Sequence, residues 1–149
     1  MKKVLKGCCG CLGILVGGLL FLILGAYVYD KWIWEEWPPA RIERITGIKV
    51  PKYKVIKMDE GERHFTGDYE DKFEIEFQTI PSDELFDKID EMLASGNTKW
   101  QKEGDTYKFS IIWGNGLPAP EGESENMDTF FSITITKGKK NGEITSGAW

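Results

Sequence analysis

The sequence predicts an N-terminal transmembrane helix followed by one α+β domain, in which an antiparallel sheet of about five strands packs on one main amphipathic helix. Three observations lead to this fold class. An uncharged apolar stretch lies near the start of the chain, several later segments alternate apolar and polar residues, and one segment between them is apolar at the helical period. One-faced alternation is typical of an antiparallel sheet, and the helix is expected to cover its apolar face.

The apolar stretch at residues 7–29 contains no Asp, Glu, Lys or Arg. About 20 apolar helical residues cross a bilayer core, so the stretch is long enough for a single span. Basic residues precede it at Lys2, Lys3 and Lys6, and positive charge beside a span is retained in the cytoplasm. We therefore expect a single-pass protein of the cell inner membrane with its N-terminus in the cytoplasm.

This orientation divides the chain into four parts. Residues 1–6 are cytoplasmic, 7–29 form the transmembrane helix, 30–39 form a juxtamembrane linker, and 40–149 form a periplasmic or extracellular domain. A cleaved signal peptide is the alternative, but cleavage after Ala26 would place the large Leu24 where a small residue is preferred.

The three cysteines, Cys8, Cys9 and Cys11, lie at the cytoplasmic end of the predicted span. Disulfides therefore do not hold the outer domain together, and three cysteines without a nearby histidine or acid do not complete a zinc site. Gly13 and Gly17 have the spacing that allows a second helix to approach closely, so a homodimer through the membrane helix is possible.

The chain after residue 29 is acidic. Removing the three N-terminal lysines from the 19 basic residues leaves 16 against 24 acidic residues, a formal charge of −8. An acidic domain repels nucleic acid, so nucleic-acid binding is not expected, whereas a basic partner or a cation fits the charge.

The first elements of the domain are a short helix and a strand. Residues 40–46 are predicted to be helical, with Pro39 in the first turn and Gly47 as the residue that ends the helix. Residues 52–58 are predicted to form a strand. Residues 73–77 alternate apolar and acidic side chains, which indicates a second, half-buried strand.

The main helix follows Pro81. Ser82 is the expected N-cap, the acids Asp83 and Glu84 suit the first turn, and Gly96 with Asn97 is expected to end the helix. Its apolar side chains fall on one face, formed by Leu85, Phe86, Ile89, Met92 and Leu93.

The last third of the chain is predicted to be a series of strands. Residues 99–101 form a brief extra strand, and alternation or turn positions define further strands at 107–113, 131–135 and 143–149. The two periodicities converge on one predicted core, which consists of Phe73, Ile75, Phe77, Phe86, Ile89, Leu93, Phe109, Ile111, Ile133 and Ile135. Trp100, Trp113 and Trp149 are also expected in the core rather than on a ligand platform.

Residues that could carry chemistry are few, and no catalytic, cofactor-binding or metal-binding residue is assigned. His64 is the only histidine of the sequence and lies between polar turns, so it is expected on a surface loop. The acids around it could supply oxygen ligands for Ca²⁺, but their spacing matches no EF-hand loop. These acids are Asp59, Glu60, Glu62, Asp68, Glu70 and Asp71.

The longest irregular segment, residues 114–126, joins two strands that a much shorter turn could have joined. Its acids and prolines favour a mobile loop over a functional one, and Leu117 is its one large apolar side chain.

Several of these segments together resemble small bacterial envelope proteins of unknown function. The resemblance rests on residues 45–51, 65–69, 73–77 and the strand region that contains Trp100 and 107–109. It implies one domain behind a lipoprotein signal or a single membrane helix, and it supplies no catalytic residues.

The predicted function is that of a membrane-tethered extracytoplasmic interaction or binding module rather than an enzyme. An inhibitor or immunity-type protein that neutralises a basic partner is the alternative. A small hydrolase that uses paired carboxylates among Asp68, Glu70 and Asp71 is a weaker third hypothesis.

Overall fold

The computed structural model describes five stretches of the chain: residues 16–25, 37–63, 67–114, 116–124 and 128–149. The chain divides into two compact units, Met1–Pro38 and Pro39–Trp149. In the first unit, residues 16–25 form helix α1, and their side chains are exposed.

The predicted membrane span, 7–29, lies for the most part outside the described residues. Within the five described stretches, no helix has both the length and the apolar character needed to cross a membrane. The span therefore stays a prediction, as does the position of the cysteines at its end.

The described part of the second unit contains two helices and six strands. The helices are α2 (Pro39–Thr46) and α3 (Asp83–Ala94). The strands are β1 (Tyr53–Asp59), β2 (Tyr69–Phe77), β3 (Trp100–Glu103), β4 (Thr106–Trp113), β5 (Thr129–Thr136) and β6 (Asn141–Ala148).

The strands form one sheet in the order β1-β2-β6-β5-β4-β3, and every neighbouring pair is antiparallel. The predicted α+β class and antiparallel sheet are therefore confirmed. The sheet has six strands rather than about five, because the brief strand expected at 99–101 is a full member of it. Trp100 pairs with Phe109 and is buried, which anchors β3 at the sheet edge.

The two faces of the sheet differ in burial. On the helix face, Phe73, Ile75 and Phe77 of β2 are buried, whereas the acids between them point to the other side, which we call the open face. Helix α3 covers the helix face through Phe86, whose ring centroid lies 5.0 Å from that of Tyr107. This two-layer packing agrees with the predicted architecture.

The shorter helix α2 contributes to the core of the domain. Its Ile42 and Ile45 are buried, and it ends at Thr46, after which Gly47 has a φ of 76° that suits glycine. The Lys88 ammonium of α3 donates to the Gly47 carbonyl at 2.7 Å. This hydrogen bond ties the end of α2 to α3.

Most of the predicted core is observed. Eight of its ten side chains are buried, and Leu93 and Ile111 are half-buried. Leu93 lies one residue before the end of α3, where the helix no longer covers it on all sides. Ser82 occupies the N-cap position as predicted, but its side chain makes no capping hydrogen bond.

Candidate functional site

Asp71 and Arg63 form a charged network at the start of β2. Asp71 is 1% exposed although it is ionisable, and it accepts hydrogen bonds from the Gly61 amide at 3.1 Å and from Arg63 Nη2 at 2.7 Å. The Arg63 guanidinium also lies 3.9 Å from the centroid of the Tyr69 ring. These contacts hold the segment after β1 against β2, which is a structural role.

The structure brings only part of the predicted acidic cluster together, because Glu62, Asp68 and Glu70 line one surface cavity and Asp71 does not. Asp71 lies on the helix face, while the adjacent Glu70 lies on the open face and pairs with Lys72 at 3.5 Å. No group of three or more potential metal ligands is found in the described part of the chain. His64 lies outside the described residues.

Asp90, Lys102 and Tyr107 form a second polar cluster, which ties α3 to the hairpin of β3 and β4. Lys102 Nζ donates to both carboxylate oxygens of Asp90 at 2.9 Å, and the Tyr107 hydroxyl donates to the same carboxylate at 3.2 Å. The hydrogen bond from Lys102 lowers the pKa of Asp90 more than desolvation raises it, and the bond from Tyr107 lowers it further. This cluster could not be predicted from the sequence, because its members come from three separate elements.

A third cluster holds the irregular segment between β4 and β5 against α2. Glu123 accepts two hydrogen bonds from Arg41, at 3.0 and 2.6 Å, and one from Arg44 at 2.9 Å. Its side chain is only 6% exposed. Desolvation alone would raise the pKa of Glu123, but the hydrogen bonds and charges of the two arginines outweigh it, so the pKa lies below its usual value.

We call this cluster of Glu123, Arg41 and Arg44 the Glu123 clasp. It gives a structural role to part of the segment 114–126, although the composition of the segment predicted a mobile loop. Gly122 has a φ of 78°, and a side chain at this position would lie 3.0 Å from the Arg44 guanidinium carbon. A glycine therefore leaves room for the Arg44 guanidinium beside the loop. The apolar Leu117 of the same segment is 52% exposed and does not take part in the clasp.

The open face of the sheet is mostly hydrophilic. Its central row runs across the strands through Ser110, Ser132 and Thr145 to Lys72. The next rows add the charged residues Lys108, Glu74, Glu143 and Glu76. An antiparallel sheet with one solvated face requires this composition.

One end of the open face is apolar rather than hydrophilic. Ile112 of β4 pairs with Phe130 of β5, and Phe130 pairs with Gly147 of β6. Trp149 follows on the same side, and its ring lies 6.4 Å from that of Phe130 with the two planes inclined by 24°. Ile112 is 48% and Trp149 53% exposed. We call Ile112, Phe130 and Trp149 the open-face patch.

A surface cavity of about 300 Å³ adjoins the open-face patch at the ends of β2 and β6. Trp149 lines it together with the carboxylate-bearing residues Glu62, Asp68 and Glu70. Glu70 pairs with Gly147, so it is a diagonal neighbour of Trp149 on the same face. Such neighbours lie within reach of long side chains. The described end of the sheet thus combines an exposed aromatic surface with an acidic margin.

The expectation that all three outer tryptophans belong to the core is wrong for Trp149. Trp100 and Trp113 are buried on the helix face, but strand β6 places Ala148 on that face, so the next residue points to the other side. The sequence did contain a signal. Residues 111–112 and residues 130–131 are pairs of consecutive apolar residues. Because side chains alternate between the two faces of a strand, only one residue of each pair can face the core, and the other must lie on the open face.

Strand β1 offers a rival apolar surface. Val55, Ile56 and Met58 are exposed at this edge of the sheet. However, a bulge interrupts the register between Val55 and Lys57, and Lys54 and Lys57 form cross-strand ion pairs with acids of β2. Bulges and lysines at an edge strand are devices that prevent pairing with another chain. The open-face patch, which has no such protection, is the stronger candidate.

Comparisons with protein-family models, with curated proteins and with solved structures find no match for this chain. The open-face patch and its acidic margin are therefore the features of the described surface that bear on function.

Proposed function

We propose that this protein is a membrane-tethered, extracytoplasmic interaction module, and that the open-face patch is the surface through which it binds a protein partner. The observation that carries the proposal is the exposure of Trp149 and Ile112 beside the partly exposed Phe130, on a sheet face that is otherwise hydrophilic. Neighbouring exposed apolar side chains rimmed by polar residues are typical of interaction sites. Tryptophan is also enriched among the residues that dominate binding energy.

Binding rather than catalysis is proposed because the charged clusters near the described surface are engaged in holding elements together. Asp71, Asp90 and Glu123 each tie a separate loop, helix or hairpin to its neighbour. The hydrolase hypothesis names Asp68, Glu70 and Asp71. Asp68 and Glu70 line one cavity, but Asp71 lies on the opposite face of β2 from Glu70 and is engaged by Arg63 and the Gly61 amide.

Site-specific photocrosslinking in living cells tests the proposal. A photoreactive phenylalanine analogue at position 112 should give one discrete adduct with a protein partner. The same analogue at position 80, where Ile80 is 51% exposed away from the strands, is the matched control and should not give this adduct. Trp149→Ala should abolish the adduct from position 112. An adduct of equal yield from position 80, or one that persists in Trp149→Ala, would exclude the open-face patch as the interface.

The membrane part of the proposal has its own test. A cysteine that replaces the exposed Ser95 should react with a membrane-impermeant maleimide in intact spheroplasts, whereas Cys8, Cys9 and Cys11 should react only after lysis. Labelling in the opposite sense would place the domain in the cytoplasm.

The alternative function, an inhibitor or immunity-type protein against a basic partner, is favoured by the acidic margin of the cavity beside Trp149. It uses the same surface, and it differs from the general proposal in the charge of the partner.

A further inference from the structure

The open-face patch and the cavity beside it form one continuous surface at the ends of β2 and β6. Trp149 belongs to both, since it stacks on Phe130 and lines the cavity with Glu62 and Glu70. A ligand that covers the patch therefore meets carboxylates within the reach of one side chain. The described residues that line this cavity include no lysine or arginine.

At the same end of the sheet, an aromatic ring and a carboxylate already hold an arginine. Arg63 lies over the Tyr69 ring at 3.9 Å and pairs with the Asp71 carboxylate at 2.7 Å, on the helix face. An aromatic ring beside a carboxylate favours a guanidinium, because the ring face and the anion both attract a cation. On the open face, Trp149 and Glu70 present the same combination to the outside.

The local charge agrees with this preference. Lys72 approaches Glu70 at 3.5 Å, but both side chains are 54% exposed, so the pair is a weak surface contact that a better-placed cation can replace. The chain after residue 29 carries a formal charge of −8, which attracts a basic partner over a longer range.

We propose that the open-face patch binds a basic segment of a protein partner, with an apolar side chain of that segment on Ile112 and Phe130 and an arginine or lysine seated between Trp149 and the carboxylates of Glu62 and Glu70. This inference rests on the proposed function and adds the chemistry of the partner. The aromatic residues supply most of the affinity, and the acids select a cationic partner over a neutral or acidic one.

The experiment measures binding of short peptides to the full-length protein in a neutral detergent. The probe is Gly-Arg-Leu-Arg-Phe-Arg-Gly, and two companions replace its arginines by glutamine or by glutamate. Binding is followed through the indole N–H resonance of Trp149, which is assigned by its loss in Trp149→Phe. The Arg probe should bind at least about tenfold more tightly than the Gln probe, and the Glu probe should not bind.

Matched variants separate the contribution of the carboxylates to binding from that of the aromatic residues. Glu62→Gln combined with Glu70→Gln should lower the affinity for the Arg probe to that for the Gln probe and remove most of its dependence on salt. Glu74→Gln combined with Glu143→Gln makes the same change of charge elsewhere on the open face and should leave the affinity within about twofold. Phe130→Ala should weaken the Arg and Gln probes alike, with the resonance of Trp149 as the readout.

The outcomes distinguish this inference from the proposed function. Equal affinities for the Arg and Gln probes, with both lost in Phe130→Ala, would overturn the basic partner but leave a protein-binding patch. A Trp149 resonance that responds to a neutral oligosaccharide and to none of the peptides would overturn both.

Discussion

The two faces of the sheet obey different rules although the same strands build them. On the helix face, Phe109 and Ile133 are buried under the helices, while the next residues along the strands, Ser110 and Thr134, lie on the open face. In these rows the alternation is that of strands buried on one side only. Ile112, Phe130 and Trp149 depart from this alternation, because they place apolar side chains on the open face. Exposed apolar side chains on a mostly polar face call for a functional explanation.

The largest expected effect tests the assignment of the faces in β2. Phe77→Ala should cost about 3 to 5 kcal/mol of unfolding free energy, because Phe77 is 1% exposed and its loss leaves a cavity. Glu76→Ala, one position away, should cost about 0.5 kcal/mol or less, since its ion pair with Lys54 at 2.7 Å lies at the surface. Urea unfolding of the full-length protein in detergent measures both. A larger loss in Glu76→Ala would mean that the faces are assigned backwards.

A smaller effect is expected where a charge lies on the helix face. Asp71→Ala should cost about 2 to 3 kcal/mol, because the Gly61 amide and Arg63 both lose the carboxylate to which they donate. Glu70→Ala is the matched control on the open face and should cost about 0.5 kcal/mol or less. The same unfolding measurement applies. If the two variants are equally stable, Asp71 is not the anchor of the segment after β1.

The Glu123 clasp should contribute less, since its arginines can reach water when the carboxylate is lost. Glu123→Gln should cost about 1 to 2 kcal/mol, and Glu121→Gln, an exposed acid of the same loop, about 0.5 kcal/mol or less. Limited proteolysis at the segment 116–124 should accelerate in Glu123→Gln alone. Equal cleavage of the two variants would show that the clasp does not order the loop.

The clasp also predicts a dependence on pH. The pKa of Glu123 is lowered in the folded protein, so the clasp contributes its full stability above the unfolded carboxyl pKa of about 4.3 and loses it as the pH falls through the lower folded value. The difference in unfolding free energy between the wild type and Glu123→Gln should therefore shrink on acidification from about pH 5 toward pH 3. A difference that grows over this range would contradict the sign of the shift.

The strands and α3 could be predicted because their periodicities are local. Residues 73–77 and 107–113 alternate strictly, and Phe86 and Ile89 recur at the helical period, so each element could be identified without its neighbours. The ends of the strands were less certain. β2 begins at Tyr69, four residues before the clear alternation, because pairing with β6 extends it through residues whose composition is typical of a turn.

The polar clusters and the open-face patch could not be predicted in the same way. Arg41 and Glu123 are separated by 82 positions in the chain, and only the fold brings them to 2.6 Å. Phe130 lies near the start of β5 and Trp149 directly follows β6, and their contact depends on a register that alternation alone does not fix. The sequence shows that one residue of each consecutive apolar pair must be exposed. It does not show that these exposed residues contact one another on the open face.

The most direct measurement compares the same substitution on the two faces. Trp113→Ala should cost about 3 to 5 kcal/mol of unfolding free energy, because Trp113 is 1% exposed on the helix face. Trp149→Ala should cost about 1 kcal/mol or less and yet abolish the crosslinked adduct formed from position 112, because its ring stacks on Phe130 without supporting the core. A Trp149→Ala protein that loses as much stability as Trp113→Ala, or that keeps its adduct, would contradict the assignment of the open-face patch as a binding surface.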